Sequence, residues 1–383
     1  MLHHRKATLY PNRVGLDIGS HTVSAVEVVE RGPETVIRSA GSVTIPGAKG
    51  KQPVRDSAAV VQALRNLWST AGMRSNKVML ALPADAVYMK WLHLEATKPE
   101  ELAQTARAAA VRGAPFPAAD AIVDFRVLPS RGATARNVHL VMVVAALGSM
   151  VDELLNMAES AGLEPMAVDI GTAAALRCFQ MQNRAGSPLW SGQPFAHCII
   201  GARSTTIAVM RGSEMEFART VPVGGGDFTE CIVQHTGASW AEAEQIKMTP
   251  GTRLVEGGVL VTSCEGQQLR IPCDSAAGRL ARETLRSLKF FRSQFAEGSY
   301  LGMVGAATLS GGGALLRGID ASIQEQGIEV TSTINPFAGF SVAAESGIQD
   351  IGASSPAYTT AVGLALGDYW TEEEVADEVE TAA

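Results

Sequence analysis

The sequence predicts an α/β protein of two lobes, in which one strand arrangement occurs twice and the first lobe carries a small α/β insertion. The chain has 383 residues, more than one small core accommodates. Hydrophobic residues make up 46% and charged residues 19%, so the chain has enough apolar material for two cores. A shift of 182 positions places residues 16–20 on residues 198–202, and a β-branched strand follows each of them.

The first lobe is expected to comprise residues 12–84 and 165–195, with a C-terminal return at about 340–372. Residues 14–18 form a buried strand, and residues 23–29 alternate as a returning strand, so the two predict a hairpin. Residues 57–71 carry apolar side chains at helical spacing and end before Gly72, which predicts an amphipathic helix on the sheet.

An inserted α/β unit is expected at 85–164, after a strand from Lys77 and a break at Pro83. The pattern then predicts a sequence of elements: a strand at 88–94, a helix at 99–112, strands at 122–128 and 138–146, and a helix at 149–161 that closes the unit. Residues 168–170 return to the first lobe and lead into an Ala-rich helix through Phe179.

The second lobe is expected at 196–339, after a Gly-, Ser- and Pro-rich connection at 183–195. It includes a smaller helical subdomain at about 235–298. The helix predicted at 278–295 has one apolar side, which we interpret as core packing of this lobe. Residues 373–383 form an acidic tail.

Composition narrows the classes of partner. The net charge is −7 and no long Lys/Arg run occurs, so nucleic acid is not an expected partner. Residues 1–13 lack the apolar core of a signal peptide, and no apolar run reaches the roughly 18 residues of a membrane span. Residues 371–383 lack a basic amphipathic face. We expect a cytoplasmic protein with no direct membrane insertion, peripheral to the inner membrane only through partners.

The five cysteines, Cys178, Cys198, Cys231, Cys264 and Cys273, are widely spread and include no CxxC pair. We interpret them as reduced core thiols, with a metal or redox role as the alternative.

Two similar turns are candidates for binding phosphate. The first offers Gly19, Ser20, His21 and Thr22 after Asp17, and the second offers Gly201, Arg203, Ser204 and Thr205. Glycine makes backbone N–H groups accessible to an anion, and the hydroxyls can reach a phosphate or its metal. The alternative for each is a plain hairpin turn.

Two further glycine-rich loops precede helical sequence. The run Gly224, Gly225 and Gly226 follows a strand and could bind an anion at the start of a helix; alternatively it is a turn with Asp227 as the N-cap. The run Gly311, Gly312 and Gly313 lets a flat ring approach the backbone, or it is an ordinary strand-to-helix turn.

The order of these loops resembles the actin-like ATPase superfamily. In detail, the chain is similar to the PilM family of type IV pilus assembly proteins, an FtsA-like subgroup. The resemblance extends from about Val14 to Leu366. Its most specific segments are GLDIGS (15–20), APFP (114–117), AGLEP (161–165), STTI (204–207), TVPVGG (220–225), SWAEAE (239–244), SGGG (310–313) and NPFA (335–338).

The resemblance implies an actin-like two-lobed fold with duplicated ribonuclease H-like domains, binding ATP and Mg²⁺. The first and second turns would face the phosphates, and residues 311–313 would contact the adenosine. Glu242 and Lys247 would lie near the base and ribose, unless they are charges on a solvated helix face. Asp17 would hold Mg²⁺ through water. Asp169 would orient water or cap the next helix.

Two departures from the family pattern predict weak or absent ATP hydrolysis. Ser24 stands where the resemblance would place a lysine, and Ile199 stands where it would place an aspartate. Loss of one such charged group commonly costs on the order of 10²–10³ in rate. Arg203 could supply the missing positive charge, or it could be a surface arginine.

The resemblance also implies a function and a partner. The function is that of an ATP-binding scaffold for the assembly of a type IV pilus or a related type II secretion-like system. A PilN-like membrane protein would dock its N-terminal tail between the first lobe and the inserted unit, on the strand at 87–94 and the stretch at 121–128. Cytoplasmic pilus motor ATPases are possible further partners. The alternatives are an active ATPase or kinase of the same fold and an FtsA-like filament protein, for which residues 371–383 do not supply the expected amphipathic tail.

Overall fold

The computed structural model describes residues 12–31, 34–49, 51, 57–128, 137–183, 193–264, 267–296, 299, 302–343 and 355–367. Most of the predicted connection at 183–195, the acidic tail at 373–383 and nearly all of residues 1–13 lie outside these ranges. The described strands sort into four sheets.

The first sheet has six strands in the order β17-β3-β2-β1-β4-β8. Their bounds are β1 Asn12–Ile18, β2 Thr22–Arg31, β3 Glu34–Thr44, β4 Lys77–Leu82, β8 Glu164–Ile170 and β17 Ser341–Val342. β1, β2 and β3 pair antiparallel, whereas β4 runs parallel to β1 and β8 parallel to β4. The hairpin and the strand from Lys77 are confirmed; β3 was not predicted.

Helices cover both faces of the first sheet. Their bounds are α1 Ser57–Ala71, α3 Gly148–Ser160, α4 Gly171–Asn183 and α9 Thr359–Ala365. α1 confirms the predicted helix. α9 packs directly on β1 and α4 because glycines remove the side chains between them: a Cβ on Gly15 would lie 1.9 Å from the Ala361 oxygen, and one on Gly363 would lie 1.7 Å from the Ala174 oxygen.

A separate sheet of three antiparallel strands, in the order β5-β7-β6, lies between β4 and β8 in the chain. Its elements are β5 Val87–Glu95, α2 Pro99–Gly113, β6 Ala121–Leu128 and β7 Val138–Leu147. We keep the name inserted unit for residues 85–147 of this sheet and α2. α2 packs on the sheet through Leu102, Ala106 and Ala110.

The packing of α3 differs from the expectation that this helix closes the inserted unit. Leu154 and Ala158 of α3 are buried in the same cluster as Leu64 of α1 and Leu16 of β1. The apolar side of α3 therefore packs on the first sheet, because β8, which follows it, is a strand of that sheet. The domain boundaries themselves stay a prediction.

The second sheet has five strands in the order β11-β10-β9-β15-β16. Their bounds are β9 Phe195–Ile200, β10 Thr205–Arg211, β11 Glu214–Val221, β15 Ala307–Ser310 and β16 Val330–Thr333. β9, β10 and β11 form an antiparallel meander, and β15 and β16 run parallel to β9. The first sheet has the same arrangement in its strands β3-β2-β1-β4-β8. The weak sequence repeat thus corresponds to a repeated sheet topology.

The remaining elements pack against the second sheet. Their bounds are α5 Gly225–Thr236, α6 Trp240–Met248, β12 Arg253–Val255, β13 Val259–Cys264, β14 Gln267–Pro272, α7 Asp274–Ser293 and α8 Ile319–Gln324. The subdomain expected to be helical therefore contains a three-stranded sheet, β12-β13-β14. α7 starts four residues before the predicted Gly278, and its apolar side, with Leu280, Leu288 and Phe291, is core as predicted.

The inserted unit and α4 also contact the second sheet. Leu176 and Phe179 of α4 pack with Phe195 and Met210 in one buried cluster. The indole nitrogen of Trp91 on β5 donates to the Met215 carbonyl oxygen at 2.8 Å. The inserted unit is therefore tied to both sheets.

Cys178, Cys198 and Cys273 are buried, and Cys231 is half-buried; all four are free thiols. Among the helices of the described residues, none combines the length and apolar character that a membrane span requires.

Candidate functional site

The first turn connects β1 to β2. Its backbone closes through the Gly19 N–H, which donates to the Thr22 carbonyl oxygen at 2.9 Å. A Cβ on Gly19 would lie 3.0 Å from that oxygen, so a side chain here would require the turn to shift by a few tenths of an ångström.

The second turn, between β9 and β10, repeats this geometry. The Gly201 N–H donates to the Ser204 carbonyl oxygen at 2.9 Å, and a Cβ on Gly201 would lie 3.0 Å from it. The sequence repeat therefore preserves the hydrogen bond that shapes each turn.

The glycines at the start of α5 pack on the second turn. The Gly225 N–H donates to the Gly201 oxygen at 2.8 Å, and the Gly226 N–H donates to the Ala202 oxygen at 2.7 Å. The Gly224 N–H donates to the Asp227 carboxylate at 2.8 Å. All three amides have acceptors within the protein, which differs from the expected anion site at this helix start.

Asp227 is also placed differently from its expected position. Gly224 is the N-cap of α5, and Asp227 is the third helical residue, with its carboxylate reaching back to the N-cap amide. The interpretation of Asp227 as the N-cap is therefore wrong. A contact of residues 224–226 with a nucleotide stays a prediction.

The third glycine loop lies on the carboxyl end of β9. Gly311 has φ +84°, and a Cβ there would lie 2.4 Å from the Ile200 oxygen, so only glycine fits. A Cβ on Gly225 would lie 3.5 Å from the Gly313 Cα, whereas one on Gly312 would have no atom within 4 Å. Glycines 201, 225 and 313 thus converge and leave Gly312 facing open space.

α6 borders these loops through Lys247. Its ammonium donates to the Gly225 oxygen at 3.2 Å, to Thr229 Oγ1 at 2.7 Å and to Glu244 Oε1 at 2.8 Å. Its side chain is only 14% exposed, so the alternative of a charge on a solvated helix face does not describe Lys247.

Glu242, in contrast, is exposed and caps α6. Its carboxylate accepts the Ser239 N–H at 2.8 Å, and this hydrogen bonding lowers the pKa of Glu242. We call the space between the first turn, the second turn and α6 the cleft. The carboxylate of α6 that lies at the cleft belongs to Glu244, which was not predicted from the sequence. Any contact of Glu242 with a nucleotide stays a prediction.

Glu244 meets the first turn across the cleft. Its Oε2 lies 4.0 Å from Nε2 of His21, and both side chains are largely buried, at 13% and 18% exposed. Burial lowers the pKa of His21, and the Glu244 carboxylate partly opposes this effect. A group bound between the first turn and α6 would meet both side chains.

Two more ion pairs cross from the first-lobe side to the second lobe. Lys51 Nζ, beyond β3, lies 3.4 Å from Asp227 Oδ1. Arg203 of the second turn pairs with Asp85, at the 3₁₀ turn Ala84–Ala86 between β4 and β5. Burial lowers the pKa of Arg203. These four side chains line a cavity of about 580 Å³ with Ser204 and Thr206.

Asp17 and Asp169 lie at the ends of two strands of the first sheet. Burial raises the pKa of Asp17 to about 6. Asp169 is ion-paired with Arg177 of α4 at 2.6 Å, and its other oxygen accepts the Ile170 N–H at 2.7 Å. Asp169 is therefore tied to α4 by Arg177, a partner that the sequence analysis did not identify.

The two departures from the family pattern are also visible in the structure. Ser24 is buried and donates to Ser42 Oγ at 3.1 Å, so it brings no charge to the first turn. Among the described residues, the cationic side chains near the two turns include Lys51, Arg203 and Lys247, and His21 lies in the first turn itself.

The chemistry of this cleft suits a nucleotide polyphosphate. Lys51 and Arg203 reach the cavity of about 580 Å³ from the two lobes. The open space at Gly312, which is not part of the lining of that cavity, can receive a flat ring beside the converging glycines. No group of three or more metal-binding side chains occurs in the described part of the chain. Mg²⁺ prefers phosphate oxygens and water with one or two carboxylates, which the single Asp17 can supply.

Comparisons with known proteins agree with this architecture, which is an actin-like α/β fold. The family model of the type IV pilus assembly protein PilM matches residues 15–369. A solved structure described as a PilM-PilN type IV pilus biogenesis complex is 26% identical, covers 92% of this chain and 97% of its own, and has a TM-score of 0.74. The ethanolamine utilization protein EutJ from Carboxydothermus hydrogenoformans is 16% identical, with 94% and 92% covered and a TM-score of 0.50.

Proposed function

This chain belongs to the PilM family of type IV pilus assembly proteins, and we propose that it is a cytoplasmic, nucleotide-binding scaffold that docks the N-terminal tail of a PilN-like membrane protein. The observation that carries the nucleotide part is the pair of turns at Gly19 and Gly201, which close with the same backbone hydrogen bond, together with His21 of the first turn, which faces Glu244 of α6. A solved relative at 26% identity is named as a PilM-PilN complex, which supports the partner.

ATP with Mg²⁺ is the proposed ligand. Residues 19–22 and 201–205 would hold the phosphates, with Lys51 as an additional cation, and residues 311–313 with Lys247 would border the adenosine. Bound Mg²⁺ would neutralise phosphate charge, and Asp17 would orient its water. Ionised Asp17 is required for this role, and its raised pKa of about 6 still leaves it ionised at neutral pH.

Hydrolysis is proposed to be slow or absent. Phosphoryl transfer depends on positioning and on charge placed at the phosphates and the attacking water. Ser24 is neutral and bonded to Ser42, and Ile199 offers no carboxylate in the second turn's strand. The chain would then use nucleotide to set the relation of its lobes, and pilus motor ATPases are proposed as further partners that read this state.

One assay pair tests the nucleotide proposal. Isothermal titration with MgATP should give saturable binding, while steady phosphate release should stay near the level of a buffer control. Binding without turnover supports the scaffold. Turnover well above background would instead favour an active ATPase of the same fold, and no binding at all would remove the nucleotide from the function.

The outer edge of β6 is one candidate surface for the tail. β6 is an edge strand, and α2 and a local side chain satisfy its outward polar groups: Arg107 donates to the Val123 oxygen at 3.3 Å, and the Phe125 N–H donates to Asp124 Oδ1 at 2.8 Å. An extended tail could replace both contacts by main-chain pairing.

A groove of about 460 Å³ between α1 and the end of α3 is the other candidate. Arg65 spans it, donating to the Ser160 oxygen at 2.7 Å. This groove also lies beside the first sheet, and a tail of opposite charge could pair with Arg65.

Binding of a synthetic N-terminal PilN peptide, measured by fluorescence anisotropy, distinguishes the two surfaces. The N–H and the oxygen of one residue in an antiparallel strand point to the same side, and the Val123 oxygen faces Arg107, away from β7. Val123→Pro therefore removes an outward N–H of β6 without removing a bond to β7. It should weaken binding at the β6 edge. Arg65→Glu should weaken binding at the groove. The partner proposal fails if the wild-type chain does not bind the peptide.

A further inference from the structure

The ion pair between Arg203 and Asp85 connects the second turn to the inserted unit. Arg203 lies between Gly201 and Ser204, in the turn proposed to hold phosphate. Asp85 lies in the 3₁₀ turn Ala84–Ala86, where the chain leaves β4 of the first sheet and enters β5 of the inserted unit. One side-chain contact thus joins the nucleotide site to the first residues of another sheet.

Both side chains are accessible to a ligand. Arg203 is 27% exposed and Asp85 is 31% exposed, and both line the cavity of about 580 Å³ beside Ser204. A guanidinium binds a carboxylate and a phosphate with the same planar pair of N–H donors. A phosphate group at the second turn and the Asp85 carboxylate would therefore compete for the same donors.

We propose that Asp85 lowers the affinity of the nucleotide site: it competes with a nucleotide phosphate for Arg203, and binding of that phosphate releases the start of the inserted unit. The inference rests on the proposed nucleotide function. On this proposal, Asp85 lowers nucleotide affinity through Arg203 and not through a contact of its own with the nucleotide.

The competition is reciprocal by thermodynamic linkage. If phosphate draws Arg203 from Asp85, then holding Asp85 against Arg203 must weaken nucleotide binding by the same factor. The released segment leads directly into β5, whose Trp91 bonds to Met215 of the second lobe. The contacts of β5 with the second lobe therefore respond to occupation of the cleft.

The first test measures the affinity for MgATP, by titration calorimetry, of the wild-type chain and of variants at the ion pair. Asp85→Asn should tighten binding three- to tenfold, and Asp85→Glu should stay near wild type. Arg203→Ala should weaken binding at least tenfold, and adding Asp85→Asn to it should then change nothing beyond twofold. Asp152→Asn, an exposed carboxylate on α3, controls for net charge.

The second test uses the wild-type chain alone, so it does not depend on a variant that folds. Hydrogen exchange of peptides covering residues 84–90 should rise when MgATP is added to the wild-type chain. Unchanged exchange at these residues in the ATP-bound wild type would overturn the release.

The outcomes separate this inference from the proposed function. A wild-type chain that binds no MgATP overturns both. A wild-type chain that binds MgATP while Asp85→Asn and Asp152→Asn give the same affinity overturns only the competition by Asp85. A tightening of Asp85→Asn that persists in the Arg203→Ala background would also contradict it, because the effect would not pass through Arg203.

Discussion

Gly19 and Gly201 occupy equivalent positions in two turns 182 residues apart, and each donates its N–H to the carbonyl oxygen three residues later at 2.9 Å. The strand that follows each turn pairs antiparallel with the strand before it. The two lobes thus present the same backbone corner, although the side chains of the turns differ, with His21 in one and Arg203 in the other.

The first prediction concerns these corners. Gly201→Ala should weaken MgATP binding severalfold, because its Cβ would lie 3.0 Å from the Ser204 oxygen and would shift the backbone of the turn by a few tenths of an ångström. Gly19→Ala should act similarly through the Thr22 oxygen. Calorimetric titration measures the affinity. The control is Gly305→Ala, an exposed glycine whose Cβ would meet only a side-chain atom at 3.5 Å. Equal affinity in all three variants would contradict the role of the turns.

The second prediction concerns the buried Asp17 carboxyl. Burial raises its pKa from 3.8 to about 6, so between these pH values the folded chain holds a proton that the unfolded chain releases. This contribution therefore lowers stability as the pH rises from about 4 to 6, and the loss is complete above 6. Asp17→Asn should be more stable than wild type by ~2 kcal/mol at pH 7.5 and by little at pH 4. Urea unfolding across this range measures the difference. Asp152→Asn should show no such trend.

The third prediction concerns His197, whose effect on stability changes with pH in the opposite direction to that of Asp17. His197 is fully buried, its two nitrogens lie 2.8 Å from Thr308 Oγ1 and Ser310 Oγ, and burial lowers its pKa to about 3. Below pH 6.5 the unfolded chain binds a proton that the folded chain excludes, so stability falls as the pH falls from 6.5 towards 3. The slope approaches about 1.4 kcal/mol per pH unit.

His197→Gln should remove this slope, even if its packing lowers stability at neutral pH. Urea unfolding between pH 5 and 7.5 measures it, and His235→Gln, at an exposed position of α5, is the matched control. A slope that survives in His197→Gln would show that other groups produce it.

The fourth prediction concerns Lys247. Its ammonium binds Gly225, Thr229 and Glu244, and Glu244 is 13% exposed. Lys247→Met should destabilise the chain by about 3 kcal/mol, because it removes the ammonium that pairs with a largely buried carboxylate. Adding Glu244→Gln should recover part of this loss. Urea unfolding measures both, and Lys289→Met, on the exposed side of α7, should change stability by at most about 0.5 kcal/mol. No recovery in the double variant would argue against the ion pair.

The sequence predicted most elements of the fold because their patterns are local. The helix at 57–71 and the hairpin strands follow from apolar spacing, and the glycine turns follow from residue type. The sheet β12-β13-β14 was missed, since its three short strands are stabilised by pairing with one another rather than by a strong local pattern.

The two glutamates of α6 show most clearly what the sequence alone cannot predict. The family resemblance pointed to Glu242, whereas Glu244 is the carboxylate that reaches His21 and Lys247. Two residues along a helix correspond to a rotation of about 200°, so neighbouring glutamates point to opposite sides. The sequence contains both, but only the packing of α6 decides which one faces inward.

The sequence by itself was enough to predict the repeated lobes and the two glycine turns, and it shows directly that position 24 is a serine and not a lysine. These features depend on residue type and short-range spacing. Only the tertiary structure decided which charges meet. Lys51 and Asp227, and Arg203 and Asp85, are distant in the chain, and their pairing depends on how the two lobes and the inserted unit pack. Ion pairs need side chains within about 4 Å of each other, a distance that no local pattern specifies.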